Sequence, residues 1–229
     1  MSGLPVDNER DRIAREAYVQ LSAAADKFEQ YAHPHAERIA AIADAIAAVL
    51  HMAPQDRRSL RNAARMHDLG EVAMERDYIK KSGPLTAEER LDLARHPVIG
   101  EQEAARASAD RAVQLLVRWH HEWWNGAGYP DALRQTEIPL GARILRVADS
   151  YAAMTDDRPY RRAFTESQAR EQMIEGSAIE FDPDVVAVLL SLEGLEQLRS
   201  HAPRASQEVD APTDNAIDNE IKLFSSYNG

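Results

Sequence analysis

Apolar residues recur at spacings of three and four along most of the chain, which is the pattern of amphipathic helices. The clearest stripe consists of Ile39, Ile42, Ile46 and Val49. No run of alternating β-branched residues predicts a strand. The pattern therefore predicts an all-α fold, built as a helical bundle.

Capping and breaking residues set the predicted helix boundaries. Helices are expected over about 8–30 and 34–51, with a short third one that ends near Asp68. After an irregular segment over 70–84, a capping box at Thr86 and Glu89 opens a helix that runs past His96 and bends near Pro97. Further helices are expected from Asp110 to His121, over about 139–154, from Thr165, and over about 182–200.

Two segments are predicted to lack regular structure. Residues 123–139 carry too many turn residues for a helix, among them Gly128 and Pro130, and predict a long loop. From His201 the chain is polar and acidic, which predicts a disordered tail over 201–229. The chain is thus expected to comprise an N-terminal helix over 1–32, a central domain over 33–200 and the tail.

Composition narrows the function classes. The 27 basic and 38 acidic residues give a formal net charge of −11, which argues against DNA, RNA or an anionic membrane as a partner. With no cysteine, any metal must be held by imidazole and carboxylate groups. No signal-like segment or apolar stretch long enough to cross a bilayer is present in the sequence, so a cytoplasmic location is expected.

Five histidines and two aspartates lie on the apolar faces of the predicted helices: His35, His67, Asp68, His96, His120, His121 and Asp149. A single inward histidine is usually a hydrogen-bonded core residue, but burying all seven is costly unless they pair or bind a cation. Adjacent residues on a helix project about 100° apart, so the neighbouring pairs can face two sides of one cluster. The pattern favours two cations ~3.5 to 4 Å apart, an arrangement suited to phosphoester hydrolysis.

The order of the motifs resembles the HD-GYP domain, a branch of the HD phosphohydrolase superfamily that hydrolyses cyclic di-GMP. The resemblance covers about residues 33 to 190 and implies an HD-domain helical bundle with a long GYP loop as the catalytic domain. The motifs are His35-Ala36-Glu37-Arg38, His67-Asp68-Leu69-Gly70, His96-Pro97 with Gly100, His120-His121-Glu122, Gly126-Ala127-Gly128-Tyr129-Pro130, Asp149 and Arg158-Pro159-Tyr160-Arg161.

The resemblance also implies a ligand set. One metal would be held by His35, His67, Asp68 and Asp149, and the other by Asp68, His96, His120 and His121, with Asp68 bridging and therefore a catalytic candidate. The family usually carries iron or manganese, and zinc, nickel and cobalt are compatible with the same nitrogen and oxygen ligands. A hydroxide bridging the metals would attack phosphorus in line while the cations neutralise the growing charge.

Substrate contacts follow from the same resemblance. Arg158 and Arg161 suit phosphate or a guanine edge, because guanidinium forms bidentate hydrogen bonds. Gly128, Tyr129 and Pro130 are expected to shape the loop beside the substrate, with Tyr129 either packing or contacting the ligand.

Three positions depart from the family pattern. Glu71 stands where the family has a lysine, Asn125 where it often has aspartate, and Tyr31 where some members carry a glutamate for a third metal. A dinuclear site is therefore expected. We count Glu71 among the catalytic candidates because a carboxylate there would repel an anionic substrate; the alternative is a side chain that points to solvent.

The leading hypothesis is a metal-dependent phosphodiesterase that opens cyclic di-GMP to linear pGpG, or onward to GMP. Two alternatives stay open. One is a catalytically weak module that binds nucleotide or a signalling protein such as a diguanylate cyclase, and the other is a phosphohydrolase that acts on another nucleotide. The first helix is expected either to pack on the core or to pair with a second copy in a homodimer.

Overall fold

A computed structural model describes residues 9–31, 33–80, 83–157 and 162–193, with side chains from residue 16 onward. These residues form ten α-helices, and their one β feature is an isolated bridge between Ser177 and Phe181. The all-α prediction is confirmed. The helices are α1 Glu9–Phe28, α2 His35–Val49, α3 Pro54–Met66, α4 Leu69–Met74, α5 Ala87–Leu93, α6 His96–Arg106, α7 Arg111–Trp119, α8 Leu140–Thr155, α9 Glu166–Glu175 and α10 Pro183–Ser191.

Helix α2 lies at the centre of the bundle. Its apolar stripe of Ile39, Ile42 and Ile46 is fully buried, and the helix packs against both α3 and α8. Small residues such as Ala43 and Ala47 lie between these side chains and let the neighbouring helices approach closely. Burying each large aliphatic side chain contributes about 1.5 to 3 kcal/mol, so this stripe fixes the orientation of α2.

Helix α1 packs on the same bundle. It contacts α2, α3 and α4, and Tyr18 and Ala25 on it are buried. Tyr18 belongs to the main hydrophobic core. Of the two interpretations of the first helix, packing on the core is the one observed.

The predicted caps are present. Thr86 and Glu89 form a reciprocal capping box on α5, and Thr165 with Gln168 does the same on α9. Asp110 accepts a hydrogen bond from the backbone N–H of Val113 at the start of α7. Each bond satisfies a donor that the first turn of a helix cannot use internally.

Three helix predictions were wrong. The helix expected to run from Thr86 past His96 is two helices, α5 and α6. Pro97 has no N–H to bond the carbonyl of Leu93, and the His96 side chain bonds that carbonyl instead. The segment over 70–84 that was predicted to be irregular contains most of α4 and a 3₁₀ turn over Asp77–Lys80. The last helix ends at Ser191 rather than near residue 200, because the backbone of Leu192 is extended.

The short helix α4 packs closely on α6 through two glycines. A Cβ atom on Gly70 would lie 2.0 Å from the carbonyl oxygen of His96, and one on Gly100 would lie 3.4 Å from the nitrogen of Gly70. The close approach brings Asp68, just before α4, next to His96 at the start of α6.

The predicted tail over 201–229 lies outside the described residues. Within the part of the chain that the structure describes, no helix has the length and apolar character needed to cross a bilayer.

Candidate metal centre

The seven histidines and aspartates singled out from the sequence lie together at one end of the bundle, in two groups. The first group consists of His35, His67 and Asp149. The second group consists of Asp68, His96, His120 and His121. Within each group, the atoms that could bind a metal lie within 4.8 Å of one another.

Asp68 lies between the two groups. Its Oδ2 atom is 2.7 Å from Nε2 of His67 in the first group. Its Oδ1 atom is 3.5 Å from Nε2 of His96 and 3.8 Å from Nε2 of His120 in the second group. The two oxygens of one carboxylate therefore face different groups.

Four of the histidines have their proton position fixed by an acceptor behind the ring. The Nδ1 atoms of His67, His96 and His120 lie 3.0, 2.9 and 2.6 Å from the carbonyl oxygens three residues earlier in the chain. Nδ1 of His35 lies 2.7 Å from a carboxylate oxygen of Asp156. Because these oxygens only accept, each Nδ1 is the donor, and in the neutral ring Nε2 keeps its lone pair for the centre.

These inward nitrogens lack partners that suit them. Nε2 of His67 is buried and lies 2.7 Å from Asp68 Oδ2, but the pair does not have hydrogen-bond geometry. Nε2 of His96 and Nε2 of His120 lie 3.2 Å apart, so in the neutral rings two lone pairs face each other. Divalent cations would satisfy all three nitrogens, and a donor set of imidazole and carboxylate suits iron, manganese or zinc. The residues present thus fit a metal centre.

Burial and neighbouring charges shift the protonation of the centre. Burial lowers the pKa of His67, but the charges of Asp68 and Asp149 outweigh it and raise that pKa to about 10. Burial and the neighbouring His120 lower the pKa of His96 to about 3. Burial opposes ionisation of Asp68, yet His67 and the other imidazoles hold the pKa of Asp68 well below its usual range. In the metal-free protein, the neighbouring carboxylates therefore favour the protonated form of His67.

Asp156 supports the first group and was missed by the sequence reasoning. Its carboxylate binds His35 through one oxygen and forms an ion pair with Arg38 through the other. Arg38 is buried and also donates to Thr155 Oγ1 at 2.7 Å and to the Ala152 carbonyl at 3.2 Å. The spacing in the sequence could have indicated Asp156. It follows Asp149 by seven residues, about two helical turns, so both residues lie on the same side of the helix.

Glu71 faces the second group rather than solvent. Its side chain is 12% exposed, and its Oε1 atom lies 4.0 Å from Nδ1 of His96. Tyr31, at the position of the third-metal glutamate in some HD-GYP proteins, stacks on His35 with ring centroids 3.7 Å apart. An aromatic ring therefore covers this side of the first group.

The predicted loop passes beside the second group. Tyr129 stacks on His121 with centroids 5.0 Å apart, and its N–H donates to the His121 carbonyl. A Cβ atom on Gly128 would lie 2.2 Å from the nitrogen of Trp123, so this close turn requires glycine. The buried Glu122 carboxylate accepts hydrogen bonds from the backbone N–H groups of Asp131 and Leu133. Pro130, just before Asp131, is half-buried.

Arg146 is a second residue that sequence reasoning missed. It is buried on α8, three residues before Asp149. Its Nη1 atom lies 3.1 Å from Nδ1 of His121 and 3.9 Å from Oδ2 of Asp149, and its Nη2 pairs with Glu180. The predicted arginines Arg158 and Arg161 lie outside the described residues.

The chain matches known proteins over most of its length. A family profile described as HD domain matches residues 19–185. The cyclic di-GMP phosphodiesterase response regulator RpfG of Xanthomonas campestris is 34% identical over 203 residues, which are 87% of this chain and 53% of that protein. The 3'3'-cGAMP-specific phosphodiesterase 3 of Vibrio cholerae is 33% identical over 164 residues, covering 72% of this chain and 36% of that one.

Solved structures agree on the fold. The structure of a cyclic GMP-AMP-specific phosphodiesterase of Vibrio cholerae superposes with a TM-score of 0.63 at 19% identity, covering 81% of this chain and 50% of that one. An HD-GYP-type protein of Bdellovibrio bacteriovorus gives a TM-score of 0.58 at 17% identity, with 80% and 67% covered. The chain spans about half or less of the length of the curated relatives described above.

Proposed function

The chain belongs to the HD-domain family, as its motifs predict, and from that membership we propose that it is a metal-dependent phosphodiesterase that hydrolyses a cyclic dinucleotide, with cyclic di-GMP as the first candidate. The observation that carries the proposal is the pair of ligand groups that share Asp68. The inward nitrogens of His96 and His120 face one another, and that of His67 faces the Asp68 carboxylate, as expected of a centre built for cations.

We assign the metal ligands as follows. His35, His67 and Asp149 would hold one cation, and His96, His120 and His121 the other, with Asp68 contributing one oxygen to each. Iron or manganese are the first candidates, and the same ligands also accept zinc, nickel or cobalt.

When bound, two divalent cations would supply a bridging hydroxide nucleophile at neutral pH and would neutralise charge on the phosphoryl oxygens. The chain's own residues then position the reaction. Backbone carbonyls and Asp156 keep the Nε2 lone pairs of four histidines directed into the centre. Tyr129 covers His121 from the loop side and limits the access of water there.

The substrate class rests on the relatives. Those described above are named phosphodiesterases of cyclic di-GMP or 3'3'-cGAMP, and both ligands contain a guanine and two phosphates. Arg158 and Arg161 remain our candidates for contacts to phosphate or guanine, with pGpG or GMP as the product. A cytoplasmic location fits this substrate. A homodimer and a signalling partner such as a diguanylate cyclase stay predictions, which light scattering and pull-down with a purified cyclase would test.

Glu71 favours one second candidate, a module that binds the nucleotide and turns it over slowly. Its carboxylate lies at the edge of the second group, 4.0 Å from Nδ1 of His96. A negative charge there opposes an anionic substrate.

The test begins with metal content. Protein purified without chelator is expected to carry two divalent ions per chain, and with Mn²⁺ or anaerobic Fe²⁺ to convert cyclic di-GMP to pGpG or GMP. The 3'3'-cGAMP isomer is assayed in parallel. D68N is expected to lose metal and activity. The control D44N removes a carboxylate on α2 that pairs with Arg57 of α3, and it is expected to keep both.

The outcomes of these assays distinguish the three hypotheses for the function. Two ions without turnover of either dinucleotide would favour a phosphohydrolase for another nucleotide. Tight nucleotide binding with slow turnover would favour the binding module. Full metal content in D68N would exclude Asp68 as a shared ligand.

A further inference from the structure

Arg146 occupies an unusual place for a cation, inside a centre that is built to hold metal ions. The residue is 8% exposed, and its Nε atom makes no hydrogen bond among the described residues. Its guanidinium lies between His121 of the second group and Glu180, which is beyond the centre. The inference below rests on the metal centre proposed above.

While its bond to Arg146 persists, the His121 ring cannot bind a metal ion. A guanidinium has donors and no lone pair, so Nδ1 of His121, 3.1 Å from Arg146 Nη1, must be the acceptor. If a metal used Nδ1, it would need the lone pair that Arg146 already occupies. If it used Nε2, the ring proton would have to move to Nδ1 and would then face the Arg146 donor. By either nitrogen, His121 cannot serve both partners.

The positive charge of Arg146 also opposes the binding of a metal ion. Its Nη1 atom is 3.9 Å from Oδ2 of Asp149, close to the ligand atoms of both groups. A fixed positive charge at this distance repels a divalent cation in a buried site far more strongly than it would in water.

The other histidines lack such a competitor. His67, His96 and His120 have backbone carbonyls behind the ring, and His35 has the Asp156 carboxylate. Acceptors of this kind support metal binding. His121 is thus the one ligand histidine in the described structure whose Nδ1 is held by a cation.

We propose that Arg146 is a tethered competitor for the second metal ion. The first group, with His35, His67 and Asp149, fills first. The second ion binds only when the guanidinium releases His121 and remains on Glu180, so the two ions bind in sequence with unequal affinity. Arg146 is in this sense a positioning residue that sets the metal concentration at which the dinuclear centre is complete.

Zn²⁺ titration of the chelator-treated full chain tests the proposal, because Zn²⁺ is diamagnetic and a chromophoric chelator reports both binding constants. The test variant is R146M/E180Q, which removes the competitor without leaving Glu180 buried and unpaired. The matched control is R143M/D182N, which removes another ion pair anchored on α8 that touches no ligand histidine.

The wild type is expected to bind two Zn²⁺ ions in separate steps. In R146M/E180Q the weaker binding is expected to tighten by about 10- to 100-fold, the usual scale for partners of metal ligands, and by more than the tighter binding, which loses only the nearby charge of Arg146. Nitrogen NMR of the imidazoles supplies a readout that a merely structural role would not move. His121 is expected to carry its proton on Nε2 without metal and to change only with the second equivalent.

Two results would overturn the proposal while leaving the metal centre intact. One is weaker binding that stays unchanged, or loosens further, in R146M/E180Q. The other is a metal-free wild type in which His121 carries its proton on Nδ1. Fewer than two Zn²⁺ ions on the wild type would instead overturn the dinuclear centre itself, and the competitor with it.

Discussion

Replacing Gly70 with alanine is expected to damage both stability and the metal centre, because Gly70 lies where α4 packs on α6. The new Cβ would lie 2.0 Å from the carbonyl oxygen of His96 and 2.8 Å from the nitrogen of Gly100. Both opposing atoms belong to the backbone, so no rotation of a side chain can relieve the contact. The two helices must move apart.

The geometry sets the size of the effect. The Cβ contact is about 1.4 Å shorter than the 3.4 Å at which ordinary contacts begin, a large shift in an interior packed like a crystal. Overpacking of this kind costs about 1 to 3 kcal/mol, and a backbone opponent places G70A near the upper end. For a chain of this size, ~3 kcal/mol lowers Tm by about 6 to 12 °C.

Thermal unfolding with and without Mn²⁺ measures the effect, together with metal content. The control is G141A, where the new Cβ would lie 2.9 Å from a terminal methyl group of Leu116, which can rotate away. Because Asp68 precedes α4 and His96 begins α6, G70A is also expected to bind metal more weakly than G141A. A G70A protein with the Tm and metal content of the wild type would refute the reasoning.

Three further predictions concern the centre. D156N is expected to weaken the tighter metal binding about 10- to 100-fold by calorimetry, whereas D157N on the adjacent residue is not, and equal losses in both would contradict the role of Asp156. E71K is expected to lower KM for cyclic di-GMP in a product assay by replacing repulsion with attraction; an unchanged or slower enzyme would show that Glu71 does not oppose the substrate. Because the His67 pKa is raised to about 10, His67 must lose a proton to bind metal, so metal affinity is expected to rise about tenfold per pH unit from pH 7 toward that pKa, as calorimetry in buffers of different ionisation enthalpy would show.

Much of the fold could be predicted because its signals are local. The stripe on α2 and the caps at Thr86, Asp110 and Thr165 each depend on residues within a few positions of one another. Helix α4 could not be predicted in this way. Its six residues are too few to show a period, and the helix is stabilised by packing on α6 through Gly70.

The candidate site divides in the same way. The seven candidate ligand residues could be singled out because each is a polar group on an apolar face of a predicted helix. Asp156 and Arg146 were not predicted, because a charged residue near a helix end or next to a candidate ligand in the sequence is usually an ordinary surface residue. The role of each residue depends on a partner far away in the sequence, which is His35 for Asp156 and His121 for Arg146.

The three carbonyls behind His67, His96 and His120 all belong to the last turns of helices, α3, α5 and α7. The carboxyl end of a helix carries a partial negative charge of about half an electron from its aligned peptide dipoles. Three such ends lie behind rings of the histidine cluster, so the backbone itself contributes an attraction for cations. Part of the affinity of this centre therefore resides in the arrangement of the helices as well as in the ligand side chains.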